Sequence, residues 1–285
     1  MSNHIKSKRI VHSALRNKII PKTDVLISKY ISEDGNSWFT SNTPSQSILT
    51  MRAGLWDQYK KYEKTFFGEC IKELYKTNSD IAQKLLAPGI VGRLSKALNS
   101  EETEEILDGV ISLVEHGTTL VFEEIYDLAK SITQSRRSRA GQEFQGIISV
   151  LMKQYGFNYD SQAKLGKARF LGAGLKMVDG VFPSFDEFLI AKTRCCIFTL
   201  KTTLRERWQE VVEEIERVGV PSIYLLTLDP DVTPSTVKLL ADHNITLVNL
   251  ESFKLKHKDT SNVMSYEELF LTELPEKLEW WRRQT

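Results

Sequence analysis

The segment Met177-Val-Asp-Gly-Val-Phe-Pro-Ser184 places one carboxylate, Asp179, inside an otherwise apolar run, and Cys195-Cys-Ile-Phe-Thr-Leu-Lys201 ends a second such run on an ammonium group. A carboxylate in apolar surroundings is costly unless it meets a cation, a metal ion or water. If both runs are strands, Ile197, Thr199 and Lys201 share one face, and neighbouring strands can bring Asp179 beside Lys201. Such a pair is either a structural ion pair or a place where a hard cation and a phosphate group meet, and the spacing leaves both open. The next segment, Thr202 to Ile215, reads as a helix with Trp208, Val211, Val212 and Ile215 as its buried stripe. Glu214 lies seven residues after Arg207, on nearly the same helical line and beside that stripe. From there it can reach toward Asp179 and Lys201, although composition alone makes it one of a solvated acidic group with Glu210, Glu213 and Glu216.

The elements that must position these groups follow from periodicity. From Gln46 to Tyr75 apolar residues recur at three- and four-residue steps, which predicts a helix. Ser79 to Leu86 predicts a short one closed by Ala87-Pro88-Gly89. Ser100, followed by acids, reads as the cap of a helix that ends at Gly117. A further helix is expected over Thr118 to Ile132. The basic segment Gln134-Ser-Arg-Arg-Ser-Arg-Ala-Gly-Gln-Glu143 then opens another, carrying Phe144, Ile147, Ile148, Leu151 and Met152. Beyond it the period changes. Leu175 to Phe182, Arg194 to Lys201, Ser222 to Leu228 and Ile245 to Leu250 read as strands, with helices at Leu204 to Val218 and Thr233 to Asp242. This alternation predicts an α/β fold, a mixed β-sheet core flanked by helices, with a helical N-terminal subdomain. No linker or repeat interrupts it, so a single domain is expected over 1–285: a mainly helical part over 1–133, the α/β core over 134–250 and a helical extension over 251–285.

Composition excludes several classes. Thirty-eight basic against thirty-seven acidic residues leave a formal charge of +1, which rules out a polycationic tail but not a local basic cleft. No apolar run is long enough for a membrane span, and the start of the chain lacks a signal-peptide pattern. Three cysteines, two adjacent, form neither a disulfide framework nor a zinc cluster, so a reducing, cytoplasmic setting is expected. Gly172-Ala-Gly174 lacks the rest of a phosphate-binding loop, so no nucleotide cofactor is expected.

An acid on one strand followed by a lysine on the next is the outline of a PD-(D/E)xK nuclease, with Thr199 standing where the second acid belongs. Together Lys201-Thr-Thr-Leu-Arg-Glu-Arg-Trp208, Asp179-Gly-Val-Phe-Pro-Ser184 and Arg136-Arg-Ser-Arg-Ala-Gly141 resemble the type II restriction endonucleases of the EcoRII, SsoII and PspGI group. The resemblance covers roughly Gln134 to Val218. It departs at Val178, where the family usually has proline, and at Arg205, where the EcoRII branch has lysine. In SsoII-like members the second carboxylate has moved to the following helix, which accounts for Thr199 and promotes Glu214.

The resemblance implies a restriction-endonuclease-like core and Mg²⁺-dependent cleavage of double-stranded DNA in a prokaryotic cell. Asp179 and Glu214 would be the metal ligands, Lys201 a catalytic cation, and Glu143 an additional catalytic acid. Glu143 also reads as ordinary first-turn chemistry. Arg205, Glu206 and Arg207 suit C·G pairs, because arginine donates to guanine O6 and N7 and glutamate accepts from cytosine N4, each contact being worth roughly 1–3 kcal/mol of discrimination. Gln134 suits the minor groove, and Arg136, Arg137 and Arg139 suit phosphates. Arg52 and Trp56, four apart on one helical face, match the pair that sandwiches a flipped central nucleotide in SsoII-like enzymes. A palindromic target cut on both strands implies a homodimer. Two alternatives stay open on the residues alone: a less specific nuclease of repair or recombination, and a non-catalytic DNA-binding regulator.

Overall fold

The computed structural model describes residues 13–35, 37–175, 178–204, 212 and 222–284. Arg205, Glu206, Arg207 and Glu214 lie outside the described residues. The chain divides into two compact units, Met1–Lys22 with Asp57–Ser138, and Thr23–Trp56 with Arg139–Thr285. The main helices are α1 (Thr23–Asp34), α2 (Pro44–Thr77), α3 (Ser79–Leu85), α4 (Pro88–Leu98), α5 (Thr103–Leu120), α6 (Phe122–Gln154), α7 (Phe185–Ile190), α8 (Pro234–Asp242) and α9 (Leu274–Arg282).

The first unit is helical. Phe66, Cys70 and Leu128 form its buried centre, with Leu15, Ile19, Ile71 and Ile132 against them. Pro88, expected only to break a helix, also starts α4, since proline's missing N–H costs nothing in a first turn. Glu102 rather than Ser100 caps α5, and the Ser100 hydroxyl accepts from the Glu102 amide instead. Gly117 does not end α5. It is buried within it, and the absence of a side chain admits the Tyr75 hydroxyl and Leu85. The outer side of α5 exposes Leu107, Val110, Ile111 and Val114 at helical spacing. Residues 118–120 complete α5, and from Phe122 the two helices expected over 118–132 and from 134 onward are one, α6, with the basic segment in its interior. Its residues are mostly good helix formers, with no proline to stop it.

The second unit holds the sheet: β1 (Asp160–Ser161), β2 (Gly180–Phe182), β3 (Cys196–Lys201), β4 (Ile223–Thr227), β5 (Ile245–Asn249) and β6 (Val263–Ser265), adjacent in that order. The first three run antiparallel and β3 to β6 parallel, so the sheet is mixed as expected. The middle strand β4 is buried on both faces, and parallel strands covered by helices carry such continuous apolar runs. Val181, Ile197, Ile223, Leu225, Ile245 and Leu247 share one core cluster with Phe170, Phe188 and Leu240. Edge strands β1 and β6 have no counterpart among the four strands read from sequence, because two or three residues show no periodicity. At β2 the chain turns into α7, where the Ser184 hydroxyl accepts from Glu187 N and Asp160 Oδ2 from Phe185 N. Trp281 of α9 packs against the core cluster and donates its Nε1 proton to the Arg194 carbonyl.

In the first unit, α4 and α5 cross where Gly109 meets Ala97, and a Cβ at 109 would lie 2.2 Å from the Ala97 Cβ. Gly109→Ala is expected to cost about 1–3 kcal/mol of unfolding free energy, as overpacking does. A denaturant melt measures this, and an unchanged midpoint would show that the crossing is looser than described.

Candidate active site

Asp179 is fixed on four sides. Strands β2 and β3 pair with Gly180 opposite Phe198 and Val181 opposite Ile197. The ladder continues one residue back, with Asp179 N donating to Phe198 O at 2.8 Å. Asp179 therefore stands opposite Thr199, and Lys201 follows two residues along the same face. The Asp179 carbonyl accepts from Gln162 N at 3.0 Å. Its Oδ2 accepts from Leu200 N at 2.6 Å and its Oδ1 from Gln145 Nε2, on α6, at 2.7 Å. Apolar neighbours hold this stretch, Val178, Val181 and Phe182 being wholly buried. Gly180 is required by close approach, since a Cβ there would lie 2.2 Å from the Tyr159 hydroxyl oxygen.

Burial pushes the Asp179 carboxyl up from its ordinary range; the Leu200 amide, the Lys201 charge, Thr199 and Gln145 oppose this without cancelling it. The neighbouring Tyr159 phenol is raised by burial and further by the Asp179 charge. Asp179 thus carries a poorly hydrated anion that a cation would stabilise. A carboxylate has about four lone-pair positions, and the Leu200, Gln145 and Thr199 donors still leave one for a metal ion. Mg²⁺ asks for only one or two protein carboxylates, so Asp179 fits such an ion. Among the described residues no three His, Cys, Asp or Glu side chains gather around a common point.

From α6 it is Gln145 whose side chain meets Asp179. Glu143, two residues earlier, points elsewhere on the helix. It is buried and bonded through Oε1 to Arg139 Nε at 2.8 Å. Burial raises its carboxyl, with Arg139 and then Arg52 opposing. Arg136, in the first unit, grips Glu63 through Nε and a terminal nitrogen, which holds its guanidinium pKa up. Gln134 and Arg137 are exposed on the same helix. On α2, Arg52 is exposed and Trp56 half-buried, on one face by their spacing. The three cysteines are free and buried.

Sequence reasoning missed Gln145, Tyr159 and Gly180. The signal for the last was present, because a glycine inside a strand marks a close approach of other atoms. For Gln145 there was none, since a neutral amide flanking a buried helical stripe looks like any surface glutamine.

Residues 103–270 match the family model described as EcoRII C terminal. Over 247 residues the chain is 32% identical to the type II restriction enzyme SsoII of Shigella sonnei, which covers 86% of this chain and 73% of that protein. A solved structure of metal-depleted Ecl18kI in complex with uncleaved DNA superposes with a TM-score of 0.75 at 28% identity, over 96% of this chain and 85% of that one. A complex of restriction endonuclease PspGI with substrate DNA gives 0.59 at 18% identity, over 91% and 94%, a likeness of fold.

Asp179→Asn keeps the shape while removing the buried charge: its oxygen still accepts from the Leu200 amide, and the Gln145 amide can turn so that its oxygen accepts from the new Nδ2. A raised folded-state pKa means that the protonated form suits the fold. The associated stability is present below the ordinary aspartate range and lost as pH rises through the raised value. Without divalent metal, the Asn variant is expected to melt above the parent at neutral pH, with the gap closing in acid. A variant that melts lower at neutral pH would contradict the electrostatics described.

Proposed function

Because the chain belongs to the EcoRII C-terminal family of type II restriction endonucleases, site-specific nucleases, we propose that it cuts both strands of duplex DNA at a palindromic CC/GG-containing site, of the CC-N-GG kind, with Mg²⁺ as cofactor. The observation that carries this reading is the desolvated Asp179 carboxylate opposite Thr199, with Lys201 next along the same strand face. That the Ecl18kI and PspGI neighbours are DNA complexes supports duplex DNA as the partner.

In this reading Asp179, with Glu214, holds the cation. When bound, Mg²⁺ neutralises charge at the phosphorus and lowers the pKa of the attacking water. Lys201 supplies a compact positive charge that orients this water or stabilises the phosphate. Gln145 and the Leu200 amide keep the Asp179 head group turned toward that place. Arg205, Glu206 and Arg207 read C·G edges in the major groove and Gln134 the minor groove. Exposed Arg137 touches the backbone. Arg136 and Arg139 join it only by sharing guanidinium groups already bonded to Glu63 and Glu143. Glu143, buried and bonded to Arg139, is the additional catalytic acid of this reading. Arg52 and Trp56 receive the flipped central base, stacking offsetting the few kcal/mol of unstacking.

Two strands cut at a palindrome need two such sites, so the working form is a homodimer. The exposed apolar stripe on α5 has the chemistry of a subunit contact. The setting is the prokaryotic cytoplasm, consistent with no described helix being long and apolar enough to cross a membrane.

Digestion of DNA of known sequence with Mg²⁺, followed by run-off sequencing, is expected to map all ends to one palindrome. Asp179→Ala and Lys201→Ala should each lower cleavage at least about a thousandfold, since several kcal/mol of charge stabilisation are lost, while duplex binding persists. Cleavage at parental rates by either variant refutes the assignment. Separately, 2-aminopurine at the central position should brighten on binding, and Trp56→Ala should alter that signal. Unchanged fluorescence with the parent protein counts against flipping.

A further inference from the structure

Helix α2 carries a glycine, Gly54, between Arg52 and Trp56. Glycine inside a helix is destabilising, so a contact has to account for it. A Cβ built at 54 would lie 2.2 Å from Tyr30 Cε2 and 2.6 Å from its Cζ, so the bare backbone receives the Tyr30 ring. The ring has little room to withdraw. Tyr30 is buried on α1, and Ile27, one turn earlier on the same face, enters a second such notch. There a Cβ at Gly146 of α6 would lie 2.3 Å from Ile27 Cδ1. At the start of α1 the Thr23 hydroxyl donates to Gln142 Oε1, also on α6, at 3.1 Å. Helix α1 is thus held against α6, at the residue after Gln145, and its tyrosine bears on α2.

The first turn of α2 is pinned as well. Ser45 donates to the Glu267 carboxylate from N at 3.0 Å and from Oγ at 2.7 Å, and its Oγ accepts from Glu251 N at 3.1 Å. With that end fixed, a push at position 54 tilts the helix. Around its axis the buried Ile48, Met51 and Leu55 lie about 60–120° from Gly54, and Arg52 and Trp56 each about 160° from it. The ring therefore presses toward the side that carries Arg52 and Trp56, and its depth sets how far they stand out. Carbon atoms in ordinary contact are about 3.5–4.0 Å apart, so a methyl group at 54 displaces ring or helix by more than an ångström. We propose that Tyr30 is a positioning residue for base capture: seated on Gly54, it sets the projection of Arg52 and Trp56 without touching DNA. This rests on the base-capture role given to that pair above.

The experiment reads 2-aminopurine fluorescence at the centre of a CC-N-GG duplex without Mg²⁺, at saturating protein and well below the melting midpoint, so that neither affinity nor stability enters the signal. Gly54→Ala drives α2 outward, and Tyr30→Leu lets it settle inward. Each is expected to lower the brightening about twofold or more, whereas the double variant, whose added methyl fills part of the space the ring leaves, regains most of it. A purely structural contact would lower the melting midpoint and leave the brightening unchanged. Parental brightening in either single variant, with Trp56→Ala altering the signal, overturns this inference and leaves base capture intact. A double variant as dim as the single ones overturns it too. Should Gly54→Ala fail to fold, Tyr30→Leu decides by the same reading. No brightening with the parent protein, or a parental signal in Trp56→Ala, overturns base capture by the pair, and this inference falls with it.

Discussion

A single buried carboxylate sets the terms for the second unit. Asp179 sits where two apolar strands meet, and every atom it could use to move is engaged: its amide by Phe198, its carbonyl by Gln162, its carboxylate by Leu200 and Gln145. The fold keeps an anion partly out of water, and desolvation outweighs the opposing donors and charge. An electrostatic debt of this kind is what makes a site receptive to a divalent cation, because the ion supplies what the protein withholds. The local sequence is shaped around the same demand: glycine at 180 to admit Tyr159, and valines at 178 and 181 to bury the strand that carries the acid.

Helix α6 shows how a shift of two positions decides chemistry. Glu143 and Gln145 are both polar and both near the middle of one helix, but they are 200° apart around its axis. Gln145 therefore meets Asp179, whereas Glu143 is buried beside Arg139. A second carboxylate in place of Gln145 would add like charge to a group already disfavoured in its ionised form; the neutral amide donates a hydrogen bond and adds none.

The strand ends carry a different cost. Thr227 and Asn249 are buried polar groups in an apolar core, tolerable because each is hydrogen-bonded. Parallel strands deliver their C-terminal loops to one edge of the sheet. There Lys201 leaves β3, and Asp229 binds the loop that follows to its neighbour.

The long amphipathic helices, the four principal strands, the alternation that makes the sheet mixed and the acid–lysine relation of Asp179 and Lys201 were legible in the chain, because periodicity and a polar residue in an apolar run are local properties. The resemblance carried by Lys201-Thr-Thr-Leu-Arg-Glu-Arg-Trp208 and Asp179-Gly-Val-Phe-Pro-Ser184 led to the right family for the same reason. What local pattern could not reach was any matter settled by partners far along the chain. Gly117 read as a helix end but serves a close contact, residues 122–154 read as parts of two helices but form one, and β1 and β6 exist only because strands lie alongside them. Gln145 became the neighbour of Asp179, and Asp229 of Leu204, through packing between segments 34 and 25 residues apart. Such pairings are decided when a helix docks on a sheet or two loops leave the same edge, and no stretch of sequence shorter than the fold contains that information.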